Sequence, residues 1–486
     1  MSAVNTQVAS DSTRSSHEGK LSGDLKLFDI VCSVLAYTAP LSVVIGYIPL
    51  IIGTGNGLGT PLAYLAVGCM LLLFAIGFSQ MSKRLPNAGA YYAYITAGLG
   101  RPAGLGFALL AILCYGLALI STYVYAGILF VPLLPNHFGL NALPWWQWSL
   151  ILACLVALLG YFRIDLSAKV LSTALILEAG IVVVWDCLVA VKGGPEGNSL
   201  DWLTLDSFMA GSPGTALLFA VICFAGFEAT AIFREETKNP ERTIPRATYT
   251  SIVLLTLFYS ATAVCVIWAL GPSTVVAQAS ADPIATGMAA FEINFGKIGH
   301  DLVEVLVCTS IFACLLSCHN ILARYVYSLS VDGVFPRALS SIHPRHESPY
   351  ISSILISVVS IGVVCFLLAS ELDATKGYSQ LLGAASYTLL ILLSTTSIAV
   401  MLYFRRRKST GDSMWKTVVA PTLSAVCLFV TTGVATVNLS SLTGNENLTD
   451  ALLGAIGFVV AFGIIWSVKL RLTKPHVYRR IGRQSN

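Results

Sequence analysis

The sequence has little charge. Only 11% of its 486 residues are charged, whereas 56% are hydrophobic, and the mean hydropathy is +0.77. Ordinary soluble domains carry roughly 25% charged residues, so this composition excludes a soluble globular domain and predicts a protein that lies in a lipid bilayer. The net charge of +4 needs no nucleic-acid partner, because the placement of basic residues in a membrane protein accounts for it.

The sequence also lacks the motifs of most enzymes. It contains no metal-ligand cluster, no nucleophile elbow and no phosphate loop. The glycine-rich segment at 53–59 has spacings that suggest a nucleotide site. It lies between two apolar segments with no strand before it, so a flexible turn is the better interpretation. We therefore predict no enzymatic activity, no cofactor and no metal site.

Two further absences bear on the cellular compartment in which the protein is expected. All 12 cysteines lie in apolar segments, so we expect no structural disulfide. Residues 1–27 are polar and lack an apolar run followed by a small-residue cleavage site. We therefore expect a disordered cytoplasmic tail rather than a signal peptide. With the short termini, it favours a bacterial inner membrane.

Long apolar stretches dominate the rest of the chain. A bilayer core about 30 Å thick requires roughly 20 apolar residues in a helix. The predicted spans are 28–53, 60–80, 101–131, 145–161, 168–191, 212–233, 247–270, 299–329, 350–369, 380–404, 416–437 and 450–470. We therefore expect an all-α membrane protein with about twelve transmembrane helices.

The basic residues predict an orientation. Short loops rich in lysine and arginine are retained in the cytoplasm. If both termini are cytoplasmic, all but three of the 29 basic residues lie on that side or at helix ends there; the exceptions are Lys192, Lys297 and Lys376. This asymmetry predicts cytoplasmic termini and an even number of spans.

Two spans contain residues that interrupt a helix. The first carries Ala39–Ser42 (APLS) and the sixth carries Phe224–Glu228 (FAGFE). Proline removes a backbone donor and opens the helix. Broken backbone is tolerated in a bilayer only where protein or water covers it, so the breaks indicate a cavity. Two inverted repeats of five helices would place such breaks at matching positions, and a simple kink is the alternative for each.

Three segments resemble a known family. They are Gly226–Glu228 followed by Glu235–Ala247 (EETKNPERTIPRA), Pro86–Tyr92 (PNAGAYY), and the stretch from Arg324 to Pro336. They resemble helix six with its following loop, the loop after helix two and the end of helix eight in the amino acid, polyamine and organocation transporter superfamily. The resemblance covers about the first ten helices. It implies a LeuT-like transport core at 28–404 made of two inverted repeats, 28–191 and 212–404, then two C-terminal helices within 405–470 and a basic cytoplasmic tail at 471–486.

The resemblance also implies a substrate site near the bilayer midplane, between the unwound parts of helices one and six. Amides at a half-helix N-terminus can hold a carboxylate, and free carbonyls can hold an ammonium. The implied residues are Ala39, Pro40, Leu41, Ser42, Ile222, Cys223, Phe224, Ala225, Gly226 and Phe227, with Tyr115 and Tyr387 as wall residues or as simple packing.

Two positions depart from the amino-acid carriers of that superfamily. The APLS segment replaces a stretch like glycine-serine-glycine, and Ile222 occupies the place of an aromatic gate. The first departure weakens the prediction of carboxylate recognition, and the segment resembles polyamine importers equally well. The substrate is therefore open between amino acids and amines.

Three ionisable residues fall inside predicted spans, namely Glu178, Glu228 and His319. Such residues cost about 2.5–3.5 kcal/mol to insert and indicate function; a structural hydrogen bond between helices is the alternative. Glu178 lies eight residues after Val170, where sodium-independent relatives carry a lysine. The pair Cys318-His319 replaces adjacent hydroxyls of sodium-coupled relatives, and a glutamate at the position of Glu228 responds to protons in some relatives. The resemblance thus implies proton coupling rather than sodium coupling.

We therefore expect a secondary transporter that moves amino acids with protons by alternating access, with helices one, two, six and seven rocking against helices three, four, eight and nine. A polyamine or other amine transporter or exchanger is the alternative, and a sensor without transport is a remote one. A channel is disfavoured because the chain has no charge ring and no repeated filter. The expected partners are an amino acid or amine, protons and the lipid bilayer; the oligomeric state leaves no signature.

Overall fold

The computed structural model describes residues 26–85, 90–162, 168–228, 230, 237, 239–344, 348–370, 373–407, 413–440 and 444–482. Most of the expected N-terminal tail, the first residues of the 86–92 motif and most of the loop after the sixth span lie outside these ranges. Within them, eleven helices are long and apolar enough to cross a membrane. The expected all-α membrane fold is confirmed.

The first part of the chain supplies five of the predicted spans. The helices are α1 Leu27–Thr38, α2 Pro40–Ser42, α3 Ile48–Thr54, α4 Thr60–Arg84, α5 Ala90–Leu99, α6 Arg101–Phe130, α7 Leu133–Phe138, α8 Trp145–Phe162 and α9 Ala168–Lys192. A π-helical stretch, Val43–Tyr47, joins α2 to α3, so α1 to α3 together form the first span. Helix α5 is an addition to the prediction, because the sequence pattern there indicated a loop.

The remaining spans follow in order. The helices are α10 Leu205–Met209, α11 Pro213–Ile222, α12 Pro240–Leu270, α13 Val275–Ala281, α14 Pro283–Val331, α15 Tyr350–Ala369, α16 Ala374–Arg406, α17 Ala420–Val437, α18 Glu446–Thr473 and α19 Pro475–Arg480. The sixth span contains only the ten-residue apolar helix α11. It is the span with the expected glycine break, and it is not among the eleven helices counted above.

Helix α6 lies at the centre of the bundle. It packs against α5, α8, α14, α16 and α18. Its buried side chains are small, aromatic and aliphatic, and a built Cβ on its Gly106 would lie 2.8 Å from the Val460 carbonyl oxygen. This close approach lets α18 lie against α6. The broken first span packs against α9, α12 and α14, so the break and the central helix face each other across the interior.

The two ends of the bundle differ in charge. One end, here the basic end, carries Lys83, Arg84, Arg337 and Arg406. The other, here the acidic end, carries Glu196, Asp201, Asp206, Asp282, Asp301, Glu304, Asp373 and Glu446. Helices α4 and α14 end at the basic end, and α6 begins there.

A cap covers the first span at the acidic end. Helix α13 and the first part of α14 lie over α3, where Ser280 Oγ donates a hydrogen bond of 2.9 Å to the Gly53 carbonyl. A Cβ on Gly53 would overlap the backbone of Ala279, so glycine permits this contact. Helix α14 turns at Gly296, whose φ is 64°, and then enters the membrane region predicted as the eighth span.

Candidate functional site

The first span breaks at Ala39. Helix α1 ends at Thr38, and Ala39 takes a left-handed backbone with φ 46° and ψ 68°. Such a conformation costs a residue other than glycine about 1–2 kcal/mol. The cause is Pro40, which lacks an N–H and disfavours the right-handed helical region for the residue before it. Helix α2 then starts beside the cavity, with its N-terminus at the break.

The sixth span breaks just after α11. The chain turns through Cys223–Gly226, and Gly226 has a φ of 108°, a conformation that glycine adopts without steric cost. The Phe224 and Ala225 amides donate to carbonyls three residues earlier at 3.1 and 3.0 Å. The Gly226 amide instead donates to Glu228 Oε2 at 2.9 Å. The carboxylate therefore satisfies a donor that the broken helix leaves free.

The two breaks contact each other. A Cβ added to Gly226 would overlap the ring of Tyr37, which lies two residues before Ala39. The ring therefore packs directly on the Gly226 backbone. Close by, Cys223 is 3.5 Å from the Tyr64 hydroxyl of α4. These contacts join α1, α4 and the turn after α11 into one buried cluster.

A small cavity lies between the breaks and α6. Its volume is about 50 Å³, which is room for one or two waters and far below the roughly 300 Å³ or more of ordinary ligand pockets. It is lined by Tyr37, Thr38, Ala39, Ser42, Val43, Tyr47, Cys114, Tyr115, Ala118, Thr122, Ile222, Cys223, Ala225, Ile311, Cys314, Cys318, Leu382 and Leu389. None of these side chains is charged at neutral pH, and an organic substrate would require the cavity to widen.

Aromatic rings lie on both sides of this cavity. Towards the acidic end, Tyr125 and Tyr378 stack with centroids 4.9 Å apart, and Tyr47 meets Tyr125 edge-on at 5.7 Å. The Tyr125 hydroxyl donates to the Ser42 carbonyl at 2.8 Å, which ties this group to the first break. Towards the basic end, Tyr115 stacks on Tyr325 at 5.5 Å. Stacked aromatic rings therefore lie at both ends of the cavity.

Glu228 adjoins the cavity behind Tyr115. Its side chain is 2% exposed, and Tyr115, which lines the cavity, donates its hydroxyl proton to Glu228 Oε1. Tyr91 of α5 lies close enough to interact with the same carboxyl group. No lysine or arginine in the described ranges pairs with it. The sixth break, the carboxyl group and the cavity wall therefore form one hydrogen-bonded unit.

Glu178 lies in a different part of the interior. It is 3% exposed in α9, beside Ser310 of α14 and within electrostatic reach of Tyr259 of α12. It does not line the cavity. The structure therefore places this predicted coupling residue between three helices that pack around the first span, rather than at the site where Glu228 lies.

His319 faces away from the cavity. Cys318 lines the cavity, but the next residue points towards α8 and α15, where His319 Nε2 is 2.9 Å from Ser353 Oγ. A Cβ on Gly160 of α8 would lie 3.0 Å from the imidazole. The imidazole Nδ1 has no partner among the described residues. These contacts correspond to the alternative of a structural hydrogen bond between helices.

The other predicted site residues divide into those that line the cavity and those that do not. Ala39, Ser42, Tyr115, Ile222, Cys223 and Ala225 line the cavity. Pro40, Leu41, Phe224, Gly226 and Phe227 are buried behind the wall and do not line it. The Phe224 ring contacts Tyr64, and the Phe227 ring contacts Phe74. Tyr387 also lies elsewhere, because its hydroxyl is 2.7 Å from Thr436 Oγ1 of α17.

Several lining residues were not among those predicted. Tyr37 and Tyr47 flank the first break, and their nearness to Pro40 in the chain was a usable signal. Cys114 precedes Tyr115, while Cys314 and Cys318 are one helical turn apart on α14. Their side chains are compact and apolar, and nothing in their sequence context separates them from the other cysteines of apolar spans.

A second, larger crevice lies on the opposite side of α6. Its volume is about 470 Å³, and Leu113, Gly116, Leu322, Val359 and Ser360 are among its lining residues. Ser360 is the one polar side chain of the lining. None of the residues predicted for the site lines it, and it offers no group that could orient an amine or a carboxylate.

Comparisons with known proteins agree with this architecture. The family model for amino acid permeases matches residues 33–486. The chain is 24% identical over 351 residues to the low-affinity putrescine importer PlaP of Escherichia coli K12, covering 70% of this chain and 74% of that protein. It is 23% identical over 369 residues to the branched-chain amino acid permease BcaP of Bacillus subtilis, covering 72% and 75%. It is 24% identical over 370 residues to the amino-acid permease RocC of the same organism, covering 74% and 75%. This chain belongs to the amino acid permease family and is a multi-pass membrane transporter, not an enzyme.

Proposed function

We propose that the protein is a proton-coupled secondary transporter of amino acids, with the substrate held between the breaks of the first and sixth spans. The observation that carries the proposal is the cavity itself, which lies where both helices are interrupted and where polar backbone can meet a ligand. Relatives named for amino-acid transport support the substrate class.

The two halves of an amino acid have different partners in this arrangement. The continuous helical stretch formed by α2, Val43–Tyr47 and α3 begins at Pro40 beside the cavity, and the positive end of a helix dipole favours a carboxylate. The turn over Cys223–Gly226 offers carbonyl oxygens to an ammonium group. Glu228 adds the one carboxyl group that contacts a lining side chain in the described part of the site. A zwitterion would therefore find one acceptor region and one donor region.

An organic amine is the second candidate. The putrescine importer is among the relatives, and the APLS segment lacks the glycines expected of an amino-acid carrier. A diamine carries two positive charges, whereas Glu228 is the one carboxyl group that adjoins the cavity among the described residues. The amine hypothesis therefore requires Glu228 to be ionised and Tyr115 to turn away from it during binding.

Proton coupling is proposed from the two buried carboxyl groups. A charged carboxylate without a cationic partner is costly to bury, and neither Glu228 nor Glu178 pairs with a lysine or arginine in the described ranges. Proton uptake removes that cost, so a proton can bias one conformation over another. Glu228 is the stronger candidate, because its hydrogen bonds reach both the cavity wall and the broken backbone.

Alternating access is proposed from the contacts between spans. One group, α1 with α4, α11 and α12, packs together, and a second group, α6 with α8, α14 and α15, packs together. The cavity lies between the groups and is too small for an organic substrate. We propose that the groups rock against each other to open either end, with the basic end in the cytoplasm of a bacterial cell according to the positive-inside rule.

The test is uptake by proteoliposomes. Labelled amino acids, diamines and monoamines are offered to the purified full chain under an imposed proton gradient, an imposed sodium gradient or neither. Accumulation of a zwitterionic amino acid driven by protons supports the proposal. Accumulation of amines alone would replace it with the second candidate, whereas sodium-driven uptake would contradict the coupling. Saturable binding without flux would indicate a sensor.

A further inference from the structure

A group of metal-ligand side chains lies at the acidic end, outside the lining of the cavity. It consists of His137 in α7 and of Asp301 and Glu304 in α14, and the ligand atoms of the three lie within 4.8 Å of one another. His137 Nε2 is 3.1 Å from Glu304 Oε2. Asn136 approaches the two oxygens of Glu304 at 3.4 and 3.3 Å.

The charges of this group are not balanced by basic side chains. Glu304 is 2% exposed, and an isolated buried carboxylate is costly. Its partners are Asn136 and His137, and the imidazole is cationic only when it is protonated. Among the described residues, the charge partner of Asp301 is His300, whose Nδ1 lies 3.6 Å from Asp301 Oδ1. No lysine or arginine within the described segments pairs with either carboxylate.

The geometry fits a divalent cation placed between these groups. Tetrahedral zinc binds imidazole nitrogen at about 2.0–2.1 Å and carboxylate oxygen at about 2.0–2.2 Å, which puts neighbouring ligand atoms about 3.3 Å apart. The separation of His137 Nε2 and Glu304 Oε2 is close to this value. Half-exposed Asp301 offers the third ligand and an approach from water.

We propose that His137, Asp301 and Glu304 form a binding site for a divalent transition-metal ion such as Zn²⁺ at the acidic end. One imidazole and two carboxylates with an open fourth position are a ligand set that zinc accepts. Asn136 holds the Glu304 carboxylate as an outer partner. Mg²⁺ and Ca²⁺ take six or more oxygen ligands, and the site selects against them because its imidazole supplies one of three ligands.

The position of the site gives it a structural consequence. Asp301 and Glu304 follow the turn of α14 at Gly296, and His137 belongs to the short helix after α6. A bound ion therefore ties the start of the membrane part of α14 to the end of the α6 segment. It stabilises the folded protein, because a ligand that binds only the native state raises the melting temperature by mass action.

The experiment uses the purified full chain and Zn²⁺ itself. Competition with a fluorescent zinc chelator measures stoichiometry and affinity, and thermal unfolding with and without Zn²⁺ gives a second readout that does not depend on transport. The expected result is one saturable site per chain and a higher melting temperature with Zn²⁺. His137→Ala and Glu304→Gln each weaken binding at least tenfold and abolish the thermal shift, and Asp301→Asn has a smaller effect in the same direction.

Two matched controls separate ligation from a general loss of charge. Glu292→Gln removes an exposed carboxylate from the same helix, and His476→Ala removes an exposed imidazole at the basic end; both retain wild-type affinity. Should Glu304→Gln fail to fold, His137→Ala alone tests the proposal, because the His137 side chain is only partly buried. Wild-type affinity in His137→Ala, or equal loss in the two controls, would overturn the proposal.

Discussion

In the first span the chain breaks at Ala39 with a φ of 46°, whereas in the sixth it breaks at Gly226 with a φ of 108°. The first break is imposed locally, because Pro40 follows directly. The sixth span has no proline next to its break, and tertiary contacts hold that break in place. Tyr37 packs on Gly226, and the Glu228 carboxylate accepts a hydrogen bond from the Gly226 amide. We infer that the first break tolerates a change of residue and that the sixth does not.

The largest effect is expected from Gly226→Ala. The added methyl group overlaps the ring of Tyr37, and a φ of 108° is strained for any L-residue. The overlap and the strain together cost more than about 3 kcal/mol in the native conformation, which corresponds to more than roughly a hundredfold loss of uptake. Uptake per folded protein in proteoliposomes measures it. Gly180→Ala is the control, since a Cβ there meets nothing within 4 Å. Uptake of Gly226→Ala within twofold of wild type would contradict the tertiary origin of this break.

The second expected effect is that of Glu228→Gln on the pH dependence of uptake. A glutamine keeps the size of the side chain and one acceptor oxygen, for either the Gly226 amide or the Tyr115 hydroxyl, but replaces the second oxygen by an NH2 donor. It cannot exchange a proton, so uptake falls about tenfold or more, in the range for loss of proton transfer, and becomes nearly independent of pH. Initial rates at a series of pH values, with and without a proton gradient, measure this. An unchanged pH profile would remove Glu228 from the coupling.

Glu178→Gln is the matched comparison for that variant. Its carboxyl group lies beside Ser310 and away from the cavity, so the pH dependence weakens less than in Glu228→Gln. A loss of pH dependence as large as that in Glu228→Gln would place the coupling near the first span instead of the sixth. No change in the Glu178→Gln profile would exclude this residue from the mechanism.

The positions of the breaks were predictable because a helix-interrupting residue marks each of them, whereas the contacts across them were not. Pro40 and Gly226 mark their breaks in the sequence, but Tyr37 meets Gly226 only after the bundle has assembled. The direction in which each side chain on α14 points could not be predicted from the sequence either. Successive helical residues point about 100° apart, and α14 is apolar on several sides, so no polar face indicated that Cys318 lines the cavity and that His319 packs against Ser353.

Smaller differences are expected between the two predicted wall tyrosines. Tyr115 lines the cavity and donates to Glu228, whereas Tyr387 pairs with Thr436 away from it. Tyr115→Phe removes one hydrogen bond to a carboxyl group, which changes KM by about 2- to 13-fold for a net loss of roughly 0.5–1.5 kcal/mol. Tyr387→Phe serves as the control and leaves KM within twofold. Equal effects of the two changes would show that Tyr115 acts through packing rather than through the site.

The smallest effect is expected from Ala39→Gly, the counterpart of Gly226→Ala. Glycine removes the steric cost of the left-handed backbone, about 1–2 kcal/mol, but adds about 0.5–1 kcal/mol of conformational entropy to the unfolded chain. The net change is thus near zero or slightly stabilising, and uptake stays within about twofold of wild type. Thermal unfolding and uptake kinetics of the same preparation measure both quantities. Because Pro40 remains, the break persists. A loss of transport as severe as that of Gly226→Ala would mean that the Ala39 methyl group, which lines the cavity, contacts the substrate directly, and the two breaks would then be equally intolerant.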